Sequence, residues 1–308
     1  MTAALLGLGA FRPDRILTNA EISTRVDTSD EWIVERTGIR ERRIAGPDDS
    51  VVSMATYAAG KALASAGVDS DEVDLLLLAT CSSPTPLPGG AAQVAHALGL
   101  ASGAADLNAG CAGFCYALSV AADAVSSGNA RHVVVVASER LSDWVDWTDR
   151  GTCVLFGDGA GAAVVGPGTG IGPVVWGSDG SRHASLAVPV GSRHVQMDGP
   201  AVFRWATTSL ADAALAACDR AGVTPGELDW FVPHQANQRI VDILARKIGV
   251  DPDRVADDVA LSGNTSAASV PLALTALMSA GRATSGDLAL LLGFGAGLTY
   301  AAQVVTLP

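Results

Sequence analysis

Cys111 differs from the other four cysteines because Gly110 and Gly113 flank it at a change of sequence pattern. A short apolar run precedes it, and a stretch rich in Ala, Leu and Val follows over residues 111–126. The pattern predicts a strand, a tight turn and a helix. A thiol at the start of a helix meets free backbone N–H groups and the positive end of the helix dipole, which lower its pKa. Cys111 is therefore a candidate nucleophile. A buried structural cysteine is the alternative, and Cys115, one turn on, lacks the glycine turn.

His234 and Asn264 are the other candidates for chemistry. His234 follows the apolar run 230–232 and Pro233, at the predicted carboxyl end of a strand, where α/β proteins gather catalytic groups. A capping histidine is the alternative. Asn264 lies in a glycine turn that opens a helix, where an isolated Asn would be interpreted as an N-cap. The remaining histidines fall in helical, pre-strand or irregular segments: His96, His132, His183 and His194.

A diverged internal duplication organises these residues. Five features recur in the same order: an Ala-rich helix, a Gly-Val turn ending in Asp, an apolar run, a buried strand and a glycine turn. The matching segments are 54–66 and 209–221, 67–74 and 222–229, 75–79 and 230–232, 133–137 and 288–292, and 156–161 and 294–297. In this repeat Asn264 occupies the place of Cys111. Alternating strands and helices predict an α/β fold of two similar halves, residues 1–166 and 167–308, with parallel-rich sheets. We interpret the irregular segment 170–199 as the connection and a surface excursion.

Composition narrows the class of protein. A net charge of -12 argues against a nucleic-acid partner, and no apolar stretch approaches the ~20 residues of a membrane helix. The short apolar amino terminus, residues 1–10, predicts a first strand because it has no basic region before it. An odd number of cysteines without a CxxC pair disfavours a disulfide framework or a zinc site and is typical of a cytoplasmic enzyme.

The chain resembles the β-ketoacyl-acyl carrier protein synthase III family, thiolase-fold condensing enzymes that initiate type II fatty acid synthesis. The resemblance runs end to end. It rests on the segments 26–33, 36–40, 106–118, 149–152, 156–161, 232–237, 263–269 and the glycine turn after Phe294. It implies a thiolase-like α/β fold layered αβαβα, with two pseudo-symmetric halves, each a mixed sheet with covering helices.

The resemblance also implies a mechanism. Cys111 takes an acyl group from acyl-CoA, with the oxyanion held by the backbone N–H groups of Cys111 and Ala296. Malonyl-acyl carrier protein then loses CO₂, and His234 and Asn264 donate hydrogen bonds to the enolate, which attacks the acyl group. The implied enzyme is a decarboxylating acyltransferase that needs no metal and no cofactor, because acyl-CoA and malonyl-acyl carrier protein are its substrates.

Further positions take implied roles from the same match. Those for CoA are Thr28, Trp32, Arg36, Arg150, Phe203 and Asn237. Those for docking the carrier protein are Arg204, Arg239, Arg246 and Lys247, although a solvated helix face is an equal interpretation of the last two. The family is dimeric, and the segment 85–88 resembles a loop that crosses to the neighbouring subunit, with Leu87 at the end of the acyl pocket. We therefore expect a homodimer that accepts primers longer than acetyl.

Two departures from the family pattern bear on these expectations. The segment 179–203 is shorter than usual, and the oxyanion turn has Ala296 between its glycines, which is harmless if its φ is negative. Three rival functions stay open: a starter-unit ketosynthase of a polyketide or secondary-metabolite pathway, an acyltransferase that uses the same cysteine, and a carrier-binding module without catalysis. The presence of Asn264 favours condensation, since simple acyl transfer needs no enolate donors.

Overall fold

The computed structural model describes residues 2–308, in which strands and helices alternate in each half of the chain. The strands are β1 Ala3–Phe11, β2 Arg15–Thr18, β3 Glu41–Ile44, β4 Leu75–Ala79, β5 Gly103–Leu107, β6 Val133–Arg140, β7 Asp158–Pro167, β8 Val175–Ser178, β9 Leu186–Ala187, β10 Gln196–Met197, β11 Trp230–Pro233, β12 Leu288–Gly295 and β13 Thr299–Thr306. The helices are α1 Asn19–Ile22, α2 Asp30–Thr37, α3 Val51–Ala66, α4 Ala91–Ala97, α5 Gly113–Ser126, α6 Gly199–Ala221, α7 Gln238–Ile248, α8 Val259–Ser262 and α9 Ser269–Ser279.

Two mixed sheets form the framework. The first has the order β1-β7-β6-β4-β5, in which β4 pairs in parallel with β5 and β6 and the other pairs are antiparallel. The second has the order β11-β12-β13-β8, in which only β11 and β12 pair in parallel. The first sheet, taken from β4 through β6 and β7 to β1, matches the second sheet from β11 to β8, strand for strand. The counterpart of β5 in the second sheet is a single parallel bridge between Phe231 and Val255.

Five layers result from the packing of helices on these sheets. Helices α5 and α9 lie between the two sheets, in a core to which both sheets contribute. Helix α3 covers the outer face of the first sheet, and α6 with α7 covers the second. The abundance of Ala in these helices lets them approach the sheets closely. Helices α3 and α6 end in the same way, at Gly67 and Gly222 with φ of 64° and 71°, the left-handed conformation that favours glycine.

The predicted mixed α/β architecture is confirmed, and the central strands are longer than the apolar runs that indicated them. Strand β6 extends three residues beyond residue 137, and β12 extends three residues beyond residue 292. The predicted first strand is β1, although Met1 lies outside the described residues. The division of the chain at residues 166 and 167 stays a prediction. Within residues 2–308, no helix is long and apolar enough to cross a membrane.

Candidate active site

Cys111 lies in the turn between β5 and α5, and its side chain is buried. The helix begins at Gly113, two residues later than predicted, with Ala112 as its N-cap. The Cys111 sulfur accepts hydrogen bonds from its own backbone N–H and from that of Ala296, which comes from the turn after β12. These two N–H groups therefore point at one spot beside the thiol. Ala296 is not among the residues with a positive φ, so its side chain introduces no backbone strain.

A close approach between the two halves fixes this geometry. A Cβ added to Gly295 would lie 2.7 Å from both Cβ and Sγ of Cys111. The hydroxyl of Thr299 bonds to the carbonyl oxygens of Ala109 and Ala296, at 3.1 and 3.0 Å, and so ties the two turns together. The Cys111 sulfur and one of its two backbone donors, Ala296, thus come from turns that are far apart in sequence but are joined by Thr299.

Burial dominates the electrostatics of Cys111. It raises the pKa of the thiol to about 11, while hydrogen bonds from Ser266 and from the backbone partly oppose this. The lowered pKa expected from the helix terminus is therefore wrong for this state of the protein. The physical reason is that the loss of water around a thiolate outweighs the few N–H groups that face it.

Asn264 is held with its amide nitrogen available. Its Oδ1 accepts the backbone N–H of Ser266 at 2.9 Å, and its own backbone bonds to Leu155 and Gly157. The oxygen end of the amide is thus occupied, and the NH₂ end remains for a substrate. As the repeat predicted, the turn precedes α9, the partner of α5 in the middle layer.

His234 is buried at the end of β11, and its tautomer follows from its neighbours. Its Nδ1 lies 2.7 Å from Oγ of Ser269, and the same Oγ accepts the backbone N–H of Gln235. Nδ1 is the one acceptor for the Ser269 proton among the hydrogen bonds of the described residues, so the ring proton sits on Nε2. Burial lowers the pKa of His234 to about 3, and a backbone hydrogen bond to Ser266 partly opposes this. The ring is therefore neutral at physiological pH.

Two cavities meet at Cys111. The first, of about 420 Å³, is lined by Cys111, His234 and Asn264 and extends past Phe203 to Trp32. The second, of about 480 Å³, also has Cys111 in its lining and is lined mainly by apolar groups. Its apolar side chains include Leu141, Trp144, Phe156, Leu186, Val188 and Val195.

The structure brings most of the CoA candidates to the first cavity: Trp32, Arg36, Arg150, Phe203 and Asn237. Thr28 does not line it. The guanidinium of Arg150 lies 4.9 Å from the centroid of the Trp32 ring, so the two already stack on each other. Asn237 also has a structural role, because it caps α7 and donates to the carbonyl of Arg36 at 3.0 Å.

The four candidates for docking the carrier protein divide into two pairs. Arg204 and Arg239 line the first cavity, and Arg239 stacks over Phe203 at 5.4 Å. Arg246 and Lys247 lie farther along α7, outside that cavity. The Nζ of Lys247 donates to the carbonyl of Thr207 at 2.7 Å, so this side chain joins α7 to α6.

Leu87 contributes to neither cavity of its own chain and is 85% exposed. Its predicted role in the acyl pocket stays a prediction that depends on a second subunit.

Two residues near Cys111 carried no candidate role in the sequence analysis. Ser266 has a φ of 48°, the one positive φ among the non-glycine residues of the described chain, and lines the second cavity beside Cys111. Glu139 is fully buried at the end of β6. A carboxylate two residues after the apolar run 133–137 was the available signal, since a buried charge needs a specific reason.

Comparisons with known proteins agree over the whole chain. Two family profiles match: 3-oxoacyl-[acyl-carrier-protein] synthase III over residues 105–180, and the C-terminal part of the same family over residues 218–307. A curated relative, β-ketoacyl-[acyl-carrier-protein] synthase III 4 of Streptomyces coelicolor, is 51% identical over 99% of this chain and 98% of its own length.

Solved structures give the same result. The priming β-ketosynthase of the R1128 polyketide biosynthetic pathway is 48% identical, with a TM-score of 0.97 over 100% of this chain and 96% of that one. The β-ketoacyl-[acyl carrier protein] synthase III of Thermus thermophilus is 43% identical, with a TM-score of 0.94 over 99% of each chain.

Proposed function

The chain belongs to the β-ketoacyl-acyl carrier protein (3-oxoacyl-acyl carrier protein) synthase III family, and we propose that Cys111 is the residue on which this condensing acyltransferase holds its acyl group. One observation carries the proposal. Cys111, His234 and Asn264 are far apart in sequence but line one cavity, and Cys111 also opens into a second cavity. The thiol thus stands between an entry for thioesters and a chamber for an acyl chain.

In the first half-reaction, the Cys111 thiolate attacks the carbonyl of acyl-CoA. The negative charge that develops on the carbonyl oxygen needs donors that are already in position. The N–H groups of Cys111 and Ala296 support this role, because both already point at the Cys111 sulfur. We propose that acyl-CoA enters through the first cavity with its adenine between Trp32 and Arg150. Since these side chains stack on each other, the guanidinium must move aside to admit the ring.

In the second half-reaction, malonyl-acyl carrier protein loses CO₂ while two hydrogen-bond donors face its thioester oxygen. Nε2–H of His234 and the NH₂ group of Asn264 hydrogen-bond to the thioester oxygen and stabilise the enolate. The neutral histidine supports this role, because a ring with its proton on Nε2 donates a hydrogen bond without losing that proton. The enolate carbon then attacks the acyl group on Cys111, and the bond between the acyl carbon and the Cys111 sulfur breaks. This step releases a β-ketoacyl-acyl carrier protein and the Cys111 thiolate, which takes up a proton from solvent.

We further propose a homodimer, in which Leu87 of one subunit reaches the acyl chamber of the other. Strand β5 supports this proposal: it is an edge strand of the first sheet, and four of its five residues are exposed. Ala104 and Ala105 on this edge are small and uncharged, which leaves the edge open for another strand to pair with it. The exposure of Leu87 in the single chain agrees with a position at a subunit interface.

Arg204 and Arg239 are the docking residues that we propose for the carrier protein. They lie at the first cavity, through which the carrier's thioester would enter. A local basic patch is needed because the chain carries a net charge of -12 and would otherwise repel an acidic partner. Lys247 is a weaker candidate, since its ammonium group is bonded to the backbone of α6.

The proposed function predicts a covalent acyl-enzyme. Incubation with acyl-CoA should add the mass of the acyl group to the peptide that contains Cys111, and malonyl-acyl carrier protein should then remove it with release of CO₂. An acyl group on another residue, or CO₂ release without a condensed product, would contradict the proposal. The proposed product, a β-ketoacyl-acyl carrier protein, is an intermediate that initiates fatty acid synthesis.

A further inference from the structure

Glu139 is a buried carboxylate close to the nucleophile that the mechanism above does not use. Its oxygens accept the backbone N–H of Cys81 at 3.2 Å, the hydroxyl of Ser82 at 2.5 Å and the hydroxyl of Thr80 at 3.2 Å. The thiol of Cys81 also donates to it at 3.4 Å. An ionised carboxylate is only a hydrogen-bond acceptor, whereas a carboxylic acid also has an O–H group that needs an acceptor of its own. This ring of donors therefore stabilises the ionised form.

Ser266 stands between this carboxylate and the nucleophile. Its Oγ lies 3.4 Å from Sγ of Cys81, whose thiol donates to Glu139, and it lines the same cavity as Cys111. Interaction with the Ser266 hydroxyl opposes the effect of burial, which raises the pKa of Cys111 and of Glu139. Its left-handed backbone is held by the bond from its N–H to Asn264. Non-glycine residues persist in this conformation only where the surroundings enforce it, and such residues cluster at functional sites.

We propose that Glu139 accepts the proton of Cys111 during acylation, with the hydroxyl of Ser266 as the relay. This inference rests on the proposed acylation of Cys111. The S–H proton passes to Ser266 Oγ while the hydroxyl proton of Ser266 passes to Glu139. The Cys111 thiolate forms a bond to the acyl carbon, and the bond between that carbon and the CoA sulfur breaks. The departing thiolate takes up the proton that Glu139 holds, again through Ser266, so the enzyme returns to its starting protonation.

The alternative base near the thiol is weaker. A proton transfer from a thiol of pKa about 11 to His234, of pKa about 3, has an equilibrium constant on the order of 10⁻⁸. Burial raises the pKa of Glu139 above its ordinary value of 4.5, so Glu139 is a stronger base than His234. The titratable groups that face it are Cys81, in the loop after β4, and Cys111.

Cations do not neutralise this carboxylate. Among the salt bridges of residues 2–308, none includes Glu139. The guanidinium of the next residue, Arg140, bonds instead to Asp143 and to the carbonyl of Asp49. Glu139 is thus a base surrounded by neutral donors, which is the setting in which a proton can be taken up.

The test is the pH dependence of a single acylation turnover. The enzyme is mixed with acyl-CoA, the reaction is quenched at timed intervals, and the acylated fraction is measured by intact mass. In the wild type, the rate should reach a plateau once Glu139 is ionised. In Glu139→Gln, the rate at neutral pH should fall on the order of 100-fold, the usual contribution of a general base. It should then rise about tenfold per pH unit and approach the wild-type rate in alkali, where hydroxide removes the proton.

Ser266→Ala should give the same rising profile and leaves the buried carboxylate in place, so it keeps the test valid if Glu139→Gln does not fold. Ser82→Ala is the matched control: it removes a donor from the same carboxylate but not the relay, so the plateau should persist. A wild-type profile in both test variants, or a loss by one constant factor at every pH, would overturn the relay while acyl-Cys111 still forms. A wild type that never forms acyl-Cys111 would overturn the proposed function, and the relay with it.

Discussion

Gly295→Ala is the substitution that tests the geometry around the thiol most directly. Gly295 has a φ of 168°, an extended conformation open to any residue, so alanine introduces no backbone strain. The added methyl group would instead lie 2.7 Å from both Cβ and Sγ of Cys111. Carbon atoms in contact prefer separations of about 3.5–4.0 Å. The thiol or the turn must therefore move by roughly 1 Å.

Such a movement separates the sulfur from the N–H groups of Cys111 and Ala296. A misplacement of about 1 Å at a reacting centre can cost on the order of 100-fold in rate. We therefore expect Gly295→Ala to slow acylation of Cys111 by about that factor. The substitution adds a methyl group and deletes no side chain, so a loss of activity could not result from a deleted interaction.

The assay is the rate at which acyl-CoA acylates Cys111, followed by intact mass, with circular dichroism and thermal unfolding as checks of folding. Gly226→Ala is the matched control, since a Cβ there would meet nothing within 4 Å. It should acylate like the wild type. If Gly295→Ala is folded and acylates at the wild-type rate, the close fit between this turn and the thiol has no catalytic role and the reasoning is refuted.

The remaining predictions address the other groups of the site. Cys111→Ala should form no acyl-enzyme by mass spectrometry and should stay folded, whereas Cys115→Ala should remain active. His234→Ala and Asn264→Ala should still acylate Cys111 but should lose decarboxylation by on the order of 100- to 1000-fold, measured as CO₂ release; wild-type release from either variant would contradict the enolate role. The pKa of His234 is lowered from 6.5 to about 3, so between these pH values the unfolded chain binds a proton at this residue and the folded protein does not. The free energy of unfolding is therefore unaffected by this histidine above pH 6.5 and decreases as the pH falls from 6.5 toward 3. The pH profile of decarboxylation should accordingly show no inflection of this histidine near 6.5. Leu87→Phe should shift kcat/KM away from isobutyryl- and hexanoyl-CoA toward acetyl-CoA, since each buried methylene contributes about 0.8 kcal/mol, and an unchanged ranking would remove Leu87 from the acyl pocket.

The duplication and the three candidate residues could be predicted from the sequence because their signals are local. The wholly apolar runs 133–137 and 288–292 predict strands β6 and β12. The turns at Cys111 and Asn264 contain the glycines that such turns need. The equivalence of these two turns followed from their order in the repeat. The structure placed both before the paired middle helices, α5 and α9.

The ionisation of the site could not be predicted in this way. The helix start suggested a lowered pKa for Cys111, but burial raises it to about 11. Burial is produced by atoms from the whole chain, including Gly295 and Ser266, which lie more than 150 residues away in sequence. The same is true of the tautomer of His234, which depends on the hydroxyl of Ser269.

The sequence by itself determined which residues stand at the ends of strands and the starts of helices, because backbone propensity and hydrophobic periodicity act over a few neighbours. Only the tertiary structure decided which atoms of those residues meet. Ser266 and Glu139 belong to opposite halves of the chain, and nothing in their local patterns joins them. Their contact exists because α5 and α9 pack between two sheets and bring the turn of one half against the strand end of the other.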